Sequence, residues 1–388
     1  MSFTRPSVKT ELDRFFKALS ESPESFESVS KSAFTQARKK LKPEAFEKLR
    51  DEQLNYFLDN APYKKDWKGY RLISIDGSKL NLPYSEELAS HYGLMKNQYQ
   101  IKMVGSLASI AYDVCNDLIL DACLGIVNGS EHDLAVSHLK RLNPQTDVLI
   151  FDRGYPAVWL IALLTKLGFK FCFRLSTLWK DAVDLINSNK DDIDWKIKRS
   201  SRSNLHRYEE FNLPDQAEDL RLVCVKLSSG EKEVLATNLI NREAISIKDM
   251  QELYHMRWGV ETEFRVLKQV LEVEYFTGKS AQAVQQDFYA RIFMANMASM
   301  IASQGLHEKK IEREKRSKHK VKPNITQTLA KTKDFLIDLF YTLEPRKLID
   351  QMIRMLEKCF DIVRPNRSFP RNKKHGSRCQ KFMNNRGI

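Results

Sequence analysis

Residues 254–268 read YHMRWGVETEFRVLK, and this stretch carries the pattern that decides the fold. Four polar residues recur in it at offsets of 0, 3, 7 and 14: Tyr254, Arg257, Glu261 and Lys268. At about 100° per residue in an α-helix, these side chains share one stripe roughly 60° wide. The neighbouring stripe is apolar and consists of Leu253, Val260, Phe264, Leu267 and Leu271. The sequence therefore predicts an amphipathic helix that presents a carboxylate among cations.

Two upstream segments each combine an apolar, strand-like run with an aspartate. RLISIDGSKLNLP at residues 71–83 contains Asp76, and DVLIFDRGYP at residues 147–156 contains Asp152. Two strand-end aspartates and a helical glutamate offer the hard oxygen ligands that Mg²⁺ prefers. Two such ions, about 3.5–4 Å apart, can stabilise the attacking and leaving oxygens of phosphoryl transfer. A Glu and a Lys seven residues apart on a helix are by themselves typical of solvated surface charges. The two upstream aspartates favour instead a metal-binding site.

The three blocks together resemble the IS-four family of DDE transposases, bacterial insertion-sequence enzymes with an RNase H-like catalytic domain. IDGSKLNLP surrounds Asp76, FDRGY surrounds Asp152, and LATNL precedes the Y-R-E-K spacing. The blocks follow the family's order over roughly residues 70–280. The resemblance implies that Asp76, Asp152 and Glu261 form a catalytic triad that binds two Mg²⁺ ions, with Mn²⁺ as the alternative.

The resemblance also implies contacts and an activity. Tyr254, Arg257 and Lys268 are expected to contact the transposon end around the phosphate next to the cleaved bond. The expected activity is that of a DNA transposase, which binds terminal inverted repeats and performs metal-dependent cleavage and strand transfer through a hairpin stage. Its partners would be the double-stranded DNA of the transposon ends and target, and it would act as a homodimer in a synaptic complex.

Two other functions remain open at this stage. One is an RNase H-fold nuclease that cuts DNA without strand transfer, for which the same triad would serve. The other is a catalytically silent DNA-binding relative, against which the three intact carboxylates argue. The sequence has no G-x-x-x-x-G-K motif, so ATP is not implied. No Ser or Thr nucleophile arrangement is evident, and we expect no covalent protein–DNA intermediate.

Composition favours a polyanionic partner. The 388 residues carry a net charge of +13, with 63 Lys and Arg against 50 Asp and Glu. The apolar run Val158–Leu164 covers seven residues, far fewer than the ~18 of a membrane span, and the first residues lack a signal-peptide core. We therefore expect a soluble, cytoplasmic protein without membrane contact, associated with the nucleoid when bound to DNA. The six cysteines lack metal-site spacing and are expected to be reduced core residues.

The predicted fold class is α/β: an RNase H-like mixed sheet flanked by helices, with a mostly β insertion and helical N- and C-terminal regions. We divide the chain into a helical N-terminal DNA-binding region (1–65), the first part of the catalytic core (66–176), the insertion (177–240), the second part of the core with the Y-R-E-K helix (241–305), and a basic helical C-terminal region with a tail (306–388).

Local patterns refine this division. Strands are expected over 71–82, 101–113, 118–127 and DVLIFD, and the fold analogy places the first and fourth side by side. The expected strands of the insertion are WKIKR, RYEEFNL, LRLVCVKL and EVLATNL. Helix starts are expected at Ser32, Thr35 and Ser130, with Pro43 between two helices and Pro156 in a first turn.

Several further residues have two possible roles. The cations Arg38, Lys39 and Lys40 could bind DNA or could form an ordinary solvated face. The basic segments 307–323 and 364–388 invite the same question, and for the tail, which has no acid, we favour phosphate binding. In the resembled family an aromatic side chain holds a flipped base near the cleaved bond, and the candidates here are Trp179, Trp195 and Trp258. For His132, Asp133 and His138 we favour a structural role over a metal site.

Overall fold

The computed structural model describes residues 7–19, 29–96, 102–198, 204–227 and 230–363. A nine-stranded sheet forms its centre, in the order β2-β3-β1-β5-β6-β9-β8-β7, with β4 also paired to β3. The strands are β1 (Arg71–Asn81), β2 (Leu94–Lys96), β3 (Lys102–Asp113), β4 (Leu118–Ile126), β5 (Asp147–Phe151), β6 (Lys170–Leu175), β7 (Asp192–Ile197), β8 (Glu218–Lys226) and β9 (Lys232–Thr237).

The helices that surround the sheet are α1 (Val8–Leu19), α2 (Lys31–Lys40), α3 (Glu44–Asn60), α4 (Glu86–Tyr92), α5 (Glu131–His138), α6 (Val158–Lys166), α7 (Lys180–Asn187), α8 (Leu205–Glu210), α9 (Ile247–Met256), α10 (Trp258–Gln269), α11 (Ala281–Met300), α12 (His307–Arg316), α13 (Ile325–Tyr341) and α14 (Pro345–Leu356). A small second sheet pairs β10 (Val321–Pro323) with β11 (Phe360–Ile362). No helix of the described residues has the length and apolar character needed to cross a membrane.

The strands β4, β3, β1, β5 and β6 lie side by side in the order expected of an RNase H-like fold. β4, β3 and β1 run antiparallel to one another, whereas β1, β5 and β6 are parallel neighbours. The parallel strand β5 is buried along its whole length, as strands covered on both faces are. The predicted fold class and the predicted adjacency of the first and fourth strands are therefore confirmed.

The register between β1 and β5 positions the two aspartates. Ser74 pairs with Ile150, so the same register continued by two residues brings Asp152, just past the end of β5, opposite Asp76. Side chains alternate between the faces of a strand. On one face, Leu72, Val148 and Ile150 pack against α9. Asp76 is four positions from Leu72, and Asp152 is two positions from Ile150. Because every second residue of a strand points to the same face, both aspartates belong to the face that α9 covers.

The insertion extends the core sheet. β9 pairs antiparallel with β6, where Cys172 faces Thr237, and β8 and β7 follow. The prediction of a strand at RYEEFNL was wrong, because this segment begins in the short helix α8. Its apolar residues Tyr208 and Phe211 are three positions apart, which is a helical and not a strand period. The division of the whole chain into five regions stays a prediction.

Two helix starts also differ from their predictions. α2 is capped by Ser30, whose hydroxyl accepts the N–H of Ala33 at 3.1 Å, and not by Ser32 or Thr35. α6 begins at Val158 after Ala157, so Pro156 precedes the helix and is not in its first turn. Pro43 does separate α2 from α3, and Ser130 caps α5, as expected. The basic tail at 364–388 lies outside the described residues.

Candidate active site

The predicted Y-R-E-K helix is interrupted at Arg257 and consists of α9 and α10. Arg257 keeps helical backbone angles, φ −51° and ψ −33°. Its N–H donates to Tyr254 O and its carbonyl accepts from Val260, both at 3.1 Å, so the chain tightens to i→i+3 bonds there. Because the direction of the chain is retained, the apolar stripe remains buried on both sides of the junction: Leu253, Val260, Phe264 and Leu267.

Arg257 connects the polar residues of the two helices. Its Nη2 donates to Glu261 Oε1 at 2.7 Å, and its guanidinium lies 5.5 Å from the ring centre of Tyr254 and 5.1 Å from that of Trp258. Arg257 is only 3% exposed, whereas the side chain of Glu261 is 39% exposed. The Nε of Arg257 is buried and has no hydrogen-bond partner among the described residues. One guanidinium donor is thus available for a further acceptor.

The aspartates lie within electrostatic reach of this group. The hydroxyl of Tyr254 donates to Asp152 Oδ1 at 3.4 Å. Burial raises the pKa of the Asp76 carboxyl to about 6. The hydrogen bond that it accepts from the Gly77 N–H and the positive charge of Arg257 each lower this pKa, whereas the negative charges of Asp152 and Glu261 raise it further. The charges of Arg257, Asp152 and Glu261 thus all lie within electrostatic range of the Asp76 carboxyl. The β1–β5 register and the bonds from Tyr254 to Asp152 and from Arg257 to Glu261 place these carboxylates on one side of the sheet, and we call Asp76, Asp152 and Glu261 the carboxylate cluster.

Lys268 approaches the same region from the far end of α10. Its Nζ donates to Ser78 Oγ at 2.7 Å and to Lys79 O at 2.8 Å, two and three residues beyond Asp76 on β1. Burial lowers the pKa of the Lys268 ammonium. This places a partly desolvated cation next to the part of β1 that follows Asp76.

The atoms of the cluster that could ligate a metal ion are carboxylate oxygens, which are the ligands that suit Mg²⁺ or Mn²⁺. Among the described residues, no three His, Cys, Asp or Glu side chains lie close enough together to enclose an ion. The carboxylate of Glu261 is bonded to Arg257 instead. The residues fit a divalent cation in their chemistry.

The N-terminal cations lie away from this cluster, on α2. The Arg38 guanidinium donates to Asp287 Oδ1 at 2.7 Å and to Ala283 O at 2.8 Å, both on α11. Lys39 and Lys40 are exposed. The structure thus uses Arg38 within the chain and leaves the two lysines at the surface.

The three tryptophans have different surroundings. Trp195 is buried in the core and packs edge-on against Trp179, with ring centres 5.8 Å apart. Trp258 is 44% exposed and lies next to Arg257. Of the three, Trp258 is the one that combines exposure with a position at the carboxylate cluster.

Arg174 and Glu233 also lie near the cluster, and the sequence analysis missed them. They form an ion pair of 2.9 Å between β6 and β9. Burial raises the pKa of Glu233, and the charges of Arg257 and Asp152 act on it as well. The sequence offered one signal for this pair, namely that Arg174 is a charged residue within the apolar run FKFCFRLS. Its partner Glu233 is 59 positions away, so the spacing of residues could not reveal the pair.

His132, Asp133 and His138 have partners that suit structural roles. His138 is fully buried, with Nδ1 2.7 Å from Asp121 Oδ2 and Nε2 3.0 Å from Ser109 Oγ. His132 Nε2 lies 3.0 Å from the carbonyl oxygen of Tyr155. Asp133 accepts a bond from Arg207. Each polar group is therefore engaged in packing α5 onto the rest of the protein.

Comparisons with known proteins identify relatives of the chain. The transposase InsG for insertion sequence element IS4, from Escherichia coli strain K12, is 24% identical over 279 residues. That match covers 69% of this chain and 60% of the relative, so the chain spans less than two thirds of that protein.

Solved structures give weaker likenesses. A piggyBac transposase synaptic complex with hairpin DNA aligns over 95% of this chain and 74% of that chain, at 13% identity and a TM-score of 0.43. The NurA nuclease from Sulfolobus solfataricus aligns over 58% of this chain and 86% of that chain, at 10% identity and a TM-score of 0.27. TM-scores of this size add nothing to the assignment.

A family model described as the transposase DDE domain matches residues 67–297 of the 388. This range is more than half of the chain. It contains both aspartate strands, the insertion and the two helices of the Y-R-E-K segment. The chain therefore belongs to the DDE transposase family, with the IS-four type of spacing that the sequence analysis identified.

Proposed function

We propose that the protein is the DNA transposase of a bacterial insertion sequence, which binds terminal inverted repeats and performs metal-dependent cleavage and strand transfer. One observation carries the proposal: the β1–β5 register brings Asp152 opposite Asp76, on the side of the sheet where Tyr254 bonds to Asp152 and Arg257 bonds to Glu261. A cluster of carboxylates bordered by cations suits a divalent ion working on a phosphodiester.

The chain's own groups would act as follows. Asp76, Asp152 and Glu261 would hold two Mg²⁺ or Mn²⁺ ions, which when bound stabilise the attacking and leaving oxygens. Arg257 would turn from Glu261 to the phosphate, since a guanidinium grips phosphate with two parallel bonds. The exposed Trp258 would stack the flipped base, which offsets part of the few kcal/mol that unstacking costs.

The reaction would proceed without a covalent enzyme link. A water oxygen forms a bond to phosphorus at the transposon end, and the bond to the 3′ oxygen breaks to leave a free 3′-hydroxyl. In the hairpin stage that the family resemblance implies, that hydroxyl would attack a phosphorus of the opposite strand and displace the 3′ oxygen of the flanking DNA. A second water would then hydrolyse the hairpin and restore the 3′-hydroxyl, which would attack a phosphorus of the target DNA and displace a 3′ oxygen of the target. Tyr254 would donate to a backbone oxygen, and Lys268 would hold a neighbouring phosphate. Two copies of the chain would hold the two ends.

The test is cleavage of a plasmid that carries the DNA flanking this gene, in Mg²⁺, by the wild type and by Glu261→Gln. We expect paired breaks at inverted ends, lost in EDTA and reduced by about 10²–10³-fold or more in the variant, which lacks one transition-state group. Lys268→Ala should instead weaken binding of the end DNA or the joining of strands.

The products distinguish the competing functions. Ends joined to target DNA would establish strand transfer, and breaks that never join would indicate a nuclease. Equal cleavage by the wild type and Glu261→Gln would remove Glu261 from the triad. DNA binding without any break in Mg²⁺ or Mn²⁺ would indicate a silent DNA-binding relative.

A further inference from the structure

The side chain of Glu131 lies over β1 next to Asp76. Glu131 is the first residue of α5, and its Cγ and Cδ are each 3.5 Å from the position that a Cβ on Gly77 would take. Gly77 follows Asp76 on β1 and donates its N–H to the Asp76 carboxylate at 2.8 Å. Glu131 therefore rests on the residue that holds the Asp76 carboxylate in place.

The sheet has a gap at this level, because β1 is longer than its neighbour β5. β5 ends at Phe151, and Ser74 is the last residue of β1 that pairs with it. Asp76 and Gly77 alternate between the two faces of β1, so Glu131 approaches from the face opposite to that of Asp76. Among the described residues no strand follows β5 alongside this part of β1. Carboxylates from both faces can therefore reach the gap beyond β5.

Tyr155 connects Asp152 with the start of α5. Its N–H donates to the carbonyl oxygen of Asp152 at 3.0 Å, and its own carbonyl oxygen lies 3.0 Å from Nε2 of His132, the residue after Glu131. Tyr155 is only 2% exposed, and its hydroxyl has no hydrogen-bond partner among the described residues. A buried O–H without an acceptor is thus held between the end of β5 and Glu131.

The charges that act on this hydroxyl are those of the carboxylates. Burial raises the pKa of Tyr155 above its ordinary value, and the negative charges of Asp76, Glu131 and Asp152 raise it further. The hydroxyl bonds to none of the three, so it can donate to an oxygen atom that lies among them. Glu131 thus shares its surroundings with the two aspartates of the carboxylate cluster.

The Glu131 carboxylate is free to bind an ion. It is exposed and forms no hydrogen bond or ion pair with a described residue, whereas Glu261 is bonded to Arg257 at 2.7 Å. An unpaired carboxylate offers the oxygen ligands that divalent ions prefer. An acidic residue also suits the start of a helix, as Glu86 does at the start of α4. That preference alone gives no reason for the contact with Gly77.

We propose that Glu131 is a fourth metal-ligating residue of the active site, beside Asp76, Asp152 and Glu261. Tyr155 is a positioning residue, whose hydroxyl donates to an oxygen atom in the coordination shell of the ion. The inference rests on the proposed function, because it assumes divalent ions at the carboxylate cluster. Four carboxylates instead of three would then set the affinity for the ions, which depends on the number of charged ligands.

The test measures Mn²⁺ binding to the full-length protein without DNA, by electron paramagnetic resonance. Glu131→Gln should bind Mn²⁺ about 10- to 100-fold more weakly than the wild type. The matched control is Glu86→Gln, because Glu86 is likewise an exposed first residue of a helix with a serine N-cap. It should bind Mn²⁺ as the wild type does. Asp152→Asn, which changes the cluster itself, should also weaken binding.

Tyr155→Phe separates positioning from packing. It should bind Mn²⁺ about tenfold more weakly. Its urea midpoint without metal should equal or exceed that of the wild type, because the substitution removes a buried hydroxyl that has no partner among the described residues. An unchanged Mn²⁺ affinity would overturn the role of Tyr155.

Cleavage of the plasmid that carries the flanking DNA gives a second readout. Glu131→Gln should need about 10- to 100-fold more Mn²⁺ than the wild type for half-maximal cleavage. Equal Mn²⁺ affinities of Glu131→Gln and Glu86→Gln, with weaker binding by Asp152→Asn, would overturn the assignment of Glu131 and leave the proposed function standing. A wild type that neither binds Mn²⁺ nor cuts the DNA would overturn the proposed function, and the role of Glu131 with it.

Discussion

Arg257 lies beside the rings of Tyr254 and Trp258 and bonds to Glu261 at the same time. Its Nε nevertheless lacks a partner among the described residues. A buried donor without an acceptor is costly, by about 1–3 kcal/mol. Arg257 therefore has one buried N–H without an acceptor among the described residues.

Replacement of Arg257 by Gln should separate ion binding from catalysis. Removal of a cation beside three carboxylates should strengthen Mn²⁺ binding in the absence of DNA by roughly tenfold, about 1.4 kcal/mol. Cleavage should nevertheless become slower, because the phosphate grip is lost. Titration of the free protein with Mn²⁺, followed by electron paramagnetic resonance, measures the first effect.

Arg265→Gln is the matched control for this experiment, because Arg265 is an exposed cation on α10, the helix that begins directly after Arg257. It should leave Mn²⁺ affinity unchanged. An Arg257→Gln protein that binds Mn²⁺ no more tightly than the wild type would show that the Arg257–Glu261 bond does not compete with the ion.

At the scale of the elements, the sequence predicted the strands that carry Asp76 and Asp152 and the apolar stripe behind Glu261. These features depend on local periodicity, which short stretches of chain contain. The break at Arg257 could not be predicted, because its backbone remains helical and the glycine nearby, Gly259, lies inside α10 and not at the break. The pairing of β9 with β6 joins residues about 60 positions apart, and local periodicity carries no information on such a register.

The contact between α5 and β4 should make stability depend on pH. Burial acts to lower the pKa of His138, but the bond to Asp121 outweighs it and raises that pKa to about 9 from an ordinary 6.5. A raised pKa in the folded state means that this stabilisation is complete below about pH 6.5 and is lost as the pH rises through 9. The loss should be about 3 kcal/mol.

Urea unfolding of the wild type and His138→Gln at several pH values measures this effect. The free energy of unfolding of the wild type should fall relative to that of the variant between pH 6.5 and 9. Taking the difference between the two proteins removes the contributions of other buried groups, such as Glu263, whose pKa burial raises to about 8. Parallel profiles would contradict a charged His138 in the folded protein.

At the scale of the whole molecule, Arg38 attaches the N-terminal helix α2 to α11, which lies largely within the matched DDE domain. The sequence suggested a DNA contact at Arg38 because it stands in a cationic run. Its partner Asp287 is 249 positions away, and no local pattern could have indicated the pair. Lys39 and Lys40, in the same run, keep the exposure that DNA binding needs.

Arg38→Met should lower the free energy of unfolding by about 2–3 kcal/mol. This is less than the ~3–5 kcal/mol of a fully buried pair, because Asp287 keeps its bonds from Thr277. Hydrogen exchange should become faster in α2 and stay slow in β1 and β5. The neighbouring substitution Lys40→Met should change neither quantity. Unaltered exchange in α2 of Arg38→Met would show that other contacts hold the helix.

The hydrogen bonds between β9 and β6 also limit how this protein can be re-engineered. Removal of the insertion would leave β6 as a bare sheet margin with unpaired amides, a template for self-association. A shortened or hybrid version of the protein would have to keep a strand in the place of β9, even if the segments that follow or precede this strand were replaced. The sheet thus sets a lower limit on the size of a miniaturised version.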